Sequence, residues 1–182
     1  VLVEAHSLVN GQGWQTLRHE LVHAALGQFG DDWPRWFQEG LAQELTGERK
    51  WRLEHLVTLG GAVKQGRIFA FEDLSSSFPL EPDDVNIAYA QSVAFVDFLR
   101  ERHGRAAFRQ LIERVAQGDG FEKAFGVAFR LPLSMEEDAF RQELPARFPW
   151  WPPLLSGDTP LWWALTAMLV VLAFVRGQWS KR

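Results

Sequence analysis

Hydrophobic positions recur at helical spacing along most of this chain. Between Trp14 and Leu26, the residues Leu17, Leu21, Val22, Ala25 and Leu26 mark one helix, with Gly27 as its stop. A loop through Gly30, Asp31 and Asp32 leads to a second helix, about Pro34 to Leu45, where Pro34 suits a first turn and Gly47 lies beyond the end. Arg52 to Lys64 reads as a third helix, weakened by Gly60 and Gly61. Ser75 to Asp84, rich in serine and proline, is a loop. Asp83 or Asp84 can then cap a stronger helix that runs through Tyr89, Val93, Val96 and Leu99 and ends at Gly104. Three more helices follow, at about Arg105 to Gln117, Phe121 to Phe129 and Met135 to Arg147. Ser134 and Glu137 have the spacing of a capping box for the last of them.

Two stretches break this pattern. Val1 to Val9, rich in Val and Leu before an Asn10-Gly11-Gln12-Gly13 turn cluster, fits a short strand, and Ile68 to Phe71 fits a short strand or an extended loop. At the other end, Thr159 to Val175 carries no charge, lies between Asp158 and Arg176, and has Trp162, Trp163 and Trp179 placed like interfacial belts. This predicts a linker over 149–160 and a transmembrane helix over 161–179, with a short basic tail to 182. Arg176, Lys181 and Arg182 follow the apolar segment, so the positive-inside tendency puts the C-terminus in the cytoplasm and the preceding domain outside it, a single-pass arrangement. The expected fold class is mainly α (α+β): one helical domain over 1–148 with a small N-terminal β remnant, plus the membrane helix.

Composition narrows the function classes. A chain of 182 residues can bury one substantial core, and 47% hydrophobic with 23% charged residues is an ordinary globular balance. A net charge of -4 without a Lys/Arg block excludes a nucleic-acid surface, because phosphate binding needs clustered cations. With no cysteine there is neither disulfide nor thiolate site nor cysteine nucleophile, so a metal must be held by His and carboxylates. The start at Val1 without a methionine suggests a segment upstream. Nothing in the sequence fixes an oligomeric state.

The candidate chemistry sits on the first helix. His19-Glu20-Leu21-Val22-His23 places two imidazoles four residues apart, on one face and one turn apart, so that both can reach one ion while Glu20 leans toward a water on it. A catalytic zinc site uses three protein ligands and leaves a fourth position open, so one ligand is missing from this helix. Glu39, in Trp36-Phe37-Gln38-Glu39-Gly40-Leu41-Ala42 on the next helix, is the best candidate, with Glu44 a weaker substitute. The fifteen residues between His23 and Glu39 suffice for one helix to end and another to return. Gly40 would let that helix approach a neighbour closely.

Together these segments resemble the gluzincin group of zinc peptidases, particularly the peptidase MA-like families, in which H-E-x-x-H precedes W-x-x-E-G-x-A. The likeness covers roughly Val1 to Leu144, more loosely downstream, where Ala90-Gln91-Ser92 and Phe98-Leu99-Arg100 followed by Gly104 look similar. It implies one Zn2+ on His19, His23 and Glu39, with Glu20 as the base that takes a proton from water and passes it to the leaving amine. Tyr89, the single tyrosine of the chain, lies where gluzincins often supply a phenol to the developing oxyanion. The implied activity is zinc-dependent hydrolysis of peptide or protein substrates, in a bacterial, membrane-anchored protein with its catalytic domain outside the cytoplasm. Two rival readings stay open: an inactive zinc-binding, membrane-anchored interaction module, and a zinc hydrolase acting on another amide or an ester.

Other residues have plainer readings. His6, His55 and His103 lie outside ligand spacing and read as surface or packing residues. Trp14, Trp33, Trp36 and Trp51 read as core or helix contacts, and Glu136, Glu137 and Asp138 as the solvated first turn of a helix.

Overall fold

The computed structural model describes residues 11–46, 49–148 and 165–170. Six helices carry the fold: α1 (Gly11–Gly27), α2 (Arg35–Thr46), α3 (Arg49–Gln65), α4 (Pro82–Ala116), α5 (Phe121–Phe129) and α6 (Leu133–Arg147). The helical stretches read from periodicity all appear, shifted by a few residues at their ends. Gly104 does interrupt its helix: at φ 73, ψ 176 it breaks α4 into two segments, a conformation that glycine adopts without steric cost.

The middle helix of the site, α2, is buried on most of its circumference, with α1 on one side and α4 on the other. Its Trp36 and Phe37 enter an aromatic core. Trp36 lies 4.9 Å from Phe71 and 5.2 Å from Phe95, Phe37 lies 5.3 Å from Phe121, and Phe71 stacks on Phe95 at 4.1 Å. Tilted, stacked and edge-on pairs of this kind add packing energy beyond the area they bury. On the α4 side the backbones nearly touch, for a Cβ at Gly40 would stand 2.5 Å from the Ser92 carbonyl oxygen. Glycine at this position is what lets α2 lie so close to α4.

Two capping expectations change. Pro132, not Ser134, is the N-cap of α6, no side chain caps that helix, and the Glu137 carboxylate is engaged by Arg141 and by the Phe71 N–H. The N-cap of α4 is Glu81, which leaves Asp83 and Asp84 in the first turn, where acidic side chains favour the helix dipole. Nor is the acidic run solvated throughout. Glu136 is fully buried, with His103 at 2.9 Å and Arg102 at 3.5 Å.

The expected α+β class is corrected to all-α, since no strand occurs among the described residues. The N-terminal strand expected at Val1 to Val9 lies outside them. Ile68 to Phe71 is irregular and pairs with no strand among the described residues, and side chains satisfy the Phe69 backbone. Gln91 accepts from the Phe69 N–H at 3.0 Å and donates to the Phe69 carbonyl at 2.8 Å, while Arg141 donates to that same carbonyl. A buried glutamine amide thus does the work of a neighbouring strand.

The transmembrane helix expected over 161–179 is also corrected. Among the described residues no helix is long and apolar enough to cross a membrane. Of that stretch only 165–170 is described, as helix. The rest of it, like the linker at 149–160, lies outside the described residues. The single-pass, extracytoplasmic placement drawn from that helix is therefore unsupported.

Candidate metal centre

On α1 the residues His19, Val22, His23 and Leu26 fall on one face by the i, i+3, i+4, i+7 rule. Leu26 is buried and Val22 packs against the core, whereas Leu21 on the opposite face is exposed. Burial of that apolar pair turns both imidazoles toward α2. Their Nε2 atoms stand 3.0 Å apart, with ring centroids 4.8 Å apart and planes inclined at 66°.

The connection from α1 to α2 is held by side chains. The indole N–H of Trp33 donates to the Leu26 carbonyl at 3.0 Å, satisfying one of the orphan acceptors at the end of α1, and Gln38 donates to the Trp33 carbonyl at 2.8 Å. At the start of α2, Arg35 and Trp36 donate their backbone N–H groups to Ser75 and Leu74. The loop before α4 is thereby docked onto the N-terminus of α2, beside the histidines.

Glu39 completes the cluster. Its Oε2 lies 3.3 Å from His19 Nε2 and 3.8 Å from His23 Nε2, and one ligand atom from each of the three residues falls within 4.8 Å of the others. Tetrahedral zinc with bonds of about 2.0–2.1 Å needs ligand atoms about 3.3 Å apart, so the three distances bracket what one ion requires. Two imidazole nitrogens and one carboxylate oxygen are also the donor types zinc takes when no thiolate is present.

Burial is the largest influence on the Glu39 carboxyl and pushes its pKa up. The His19 hydrogen bond and the charges of His23, His19 and Arg35 together outweigh it, so the pKa falls below the usual glutamate value and the group is an anion at neutral pH. An ionised carboxylate is the form a metal needs.

A cleft of about 480 Å³ opens over the cluster. Glu20 lines it beside the histidines, and Tyr89 lines it from α4. The Tyr89 ring meets Phe78 edge-on at 5.0 Å, and its hydroxyl has no hydrogen-bond partner among the described residues. All five residues singled out in the sequence thus border one cleft, although they come from three helices. Glu44 is not among them; it pairs with Arg100 on α4 at 2.7 Å.

Arg35, Gln38, Ser75 and Ser76 also line the cleft and were not singled out in the sequence. Arg35 left a signal, because it stands one turn before Glu39 on the same helix, where opposite charges meet. The serines left none, since their position depends on a loop docking against α2.

No match is found among curated proteins or solved structures. A family model of the Peptidase MA superfamily matches residues 3–146, a stretch that includes α1 to α5, nearly all of α6 and every residue of the cluster. That match takes in well over half of the sequence, and the chain belongs to the Peptidase MA superfamily.

Proposed function

We propose that this member of the superfamily hydrolyses peptide bonds at a single zinc ion held by His19, His23 and Glu39, within a domain formed by residues 1–148. Membership supports a peptidase-like enzyme with a peptide or protein substrate. The observation that carries the finer reading is the convergence of two imidazole nitrogens and one ionised carboxylate within 4.8 Å, at the floor of a cleft that Glu20 also lines.

When bound, zinc supplies a water whose pKa falls to about 7 and a Lewis acid for the scissile carbonyl. The rest falls to the chain. Glu20 would act as the base that accepts a proton from the attacking water and as the acid that returns it to the leaving amine as the C–N bond breaks. Tyr89, with its hydroxyl open to the cleft, donates a hydrogen bond to the carbonyl oxygen as negative charge develops there. Glu39 and the two histidines stay fixed throughout, because the Trp33 and Gln38 hydrogen bonds set the geometry of the loop that joins their helices.

Glu20→Gln tests this reading. The amide keeps the size of the side chain but is not a base, so the variant should bind one zinc per chain and lose at least about a hundredfold in hydrolysis of a mixed peptide library. Equal rates in the two proteins would remove Glu20 from the mechanism. No cleavage of any peptide by the zinc-loaded wild type would favour a binding module instead.

A further inference from the structure

Resting on the hydrolytic reading of the cleft, we infer that Arg35 selects substrates that carry a carboxylate within about one or two residues of the scissile bond. Arg35 is the one Arg or Lys among the described residues that line the cleft. Its side chain is 45% exposed, and among the described residues its guanidinium donates no hydrogen bond. The nearest anion is Glu39 Oε1 at 3.7 Å, beyond hydrogen-bonding distance, while the other oxygen of that carboxylate faces the histidines.

The guanidinium nevertheless has an aromatic neighbour. Its Cζ lies over the Phe78 ring, 5.3 Å from the centroid, and the same ring abuts Tyr89. A guanidinium over an aromatic face, with its donors open, is suited to two-pronged recognition of a carboxylate.

Charge balance points the same way. Glu20 and Glu39 line the same cleft as Arg35, two carboxylates beside one guanidinium. A divalent ion at the histidine pair turns this into an excess of one positive charge, and Glu39 is then committed to the ion. The guanidinium is left with an open fork and one uncompensated charge, which one substrate carboxylate would neutralise. That carboxylate has two sources, an acidic side chain or the free end of a peptide. With a residue spanning roughly 3.5 Å, either can lie within one or two residues of the bond being cut.

The test is fluorescence anisotropy on zinc-loaded Glu20→Gln protein with labelled peptides of a common neutral core. One peptide has an amidated end, one a free C-terminal carboxylate, one an internal Glu with an amidated end, and one an internal Lys with an amidated end. At least one carboxylate peptide should bind roughly ten- to a hundredfold tighter than the neutral one. The free-end and internal-Glu arms show which source is used.

In the Glu20→Gln background, Arg35→Gln should abolish that preference while keeping one zinc per chain. Arg35→Lys should retain only part of it, and Arg35→Glu should shift it toward the Lys peptide. Equal or undetectable binding of all four peptides, a preference that survives Arg35→Gln, or loss of zinc from that variant would each overturn the inference. Cleavage is followed separately with the wild-type protein, so a failure there counts against the hydrolytic reading while the binding preference still decides the role of Arg35.

Discussion

Glu39 faces in two directions at once. One oxygen meets two imidazoles and the other meets a guanidinium, and their combined pull keeps the carboxyl ionised although the residue is buried. Tyr89, across the cleft, has an unused hydroxyl and a ring steadied by Phe78. If that phenol serves the transition state, Tyr89→Phe should lower kcat by about a hundred- to a thousandfold, with zinc content unchanged and KM little moved. Steady-state kinetics beside metal analysis checks this; an unchanged kcat would assign the ring to packing alone. That His19, Glu20, His23 and Glu39 would stand close together was legible in the sequence, from the one-turn spacing on α1 and a short connection to the next helix. Arg35 was legible only as a charge one turn from Glu39, since its place against Phe78 depends on a loop more than forty residues away.

At the scale of the helices, the site depends on how closely α2 can approach its neighbours. Gly40 sits against the backbone of α4, and Ala there would force a methyl group to within 2.5 Å of a carbonyl oxygen that cannot move independently of its helix. Gly40→Ala should therefore destabilise the fold by about 1–3 kcal/mol, seen as a lower urea midpoint, and should weaken zinc binding by displacing Glu39. An unchanged midpoint would mean that α2 can shift without cost. The helices themselves were legible from apolar periodicity, and Gly40 from its place beside Glu39. Less legible were features that depend on distant partners. Gln91 stands in for a strand partner 22 residues away in sequence, and Glu136 is buried against a histidine 33 residues away. A short apolar run and an acidic run carry no local mark of such partners, which is why they suggested a strand and a solvated turn.

For the molecule as a whole, α1 carries both histidines of the cluster yet packs chiefly against α2, while α2 is embedded in the aromatic core through Trp36 and Phe37. An ion shared by His19, His23 and Glu39 would tie the outer helix to the central one, so the same contacts that define the site would help to hold it. The uncharged C-terminal stretch suggested a membrane span because its composition is apolar, but among the described residues no helix is both long and apolar enough to cross a membrane. The most direct measurement is zinc K-edge X-ray absorption on the reconstituted protein, with zinc counted per chain. One zinc with two imidazole nitrogens and oxygen ligands at about 2.0–2.1 Å is expected, with that signature lost in Glu39→Ala and His23→Ala. A zinc environment without imidazole, or one unaltered in those two variants, would contradict it.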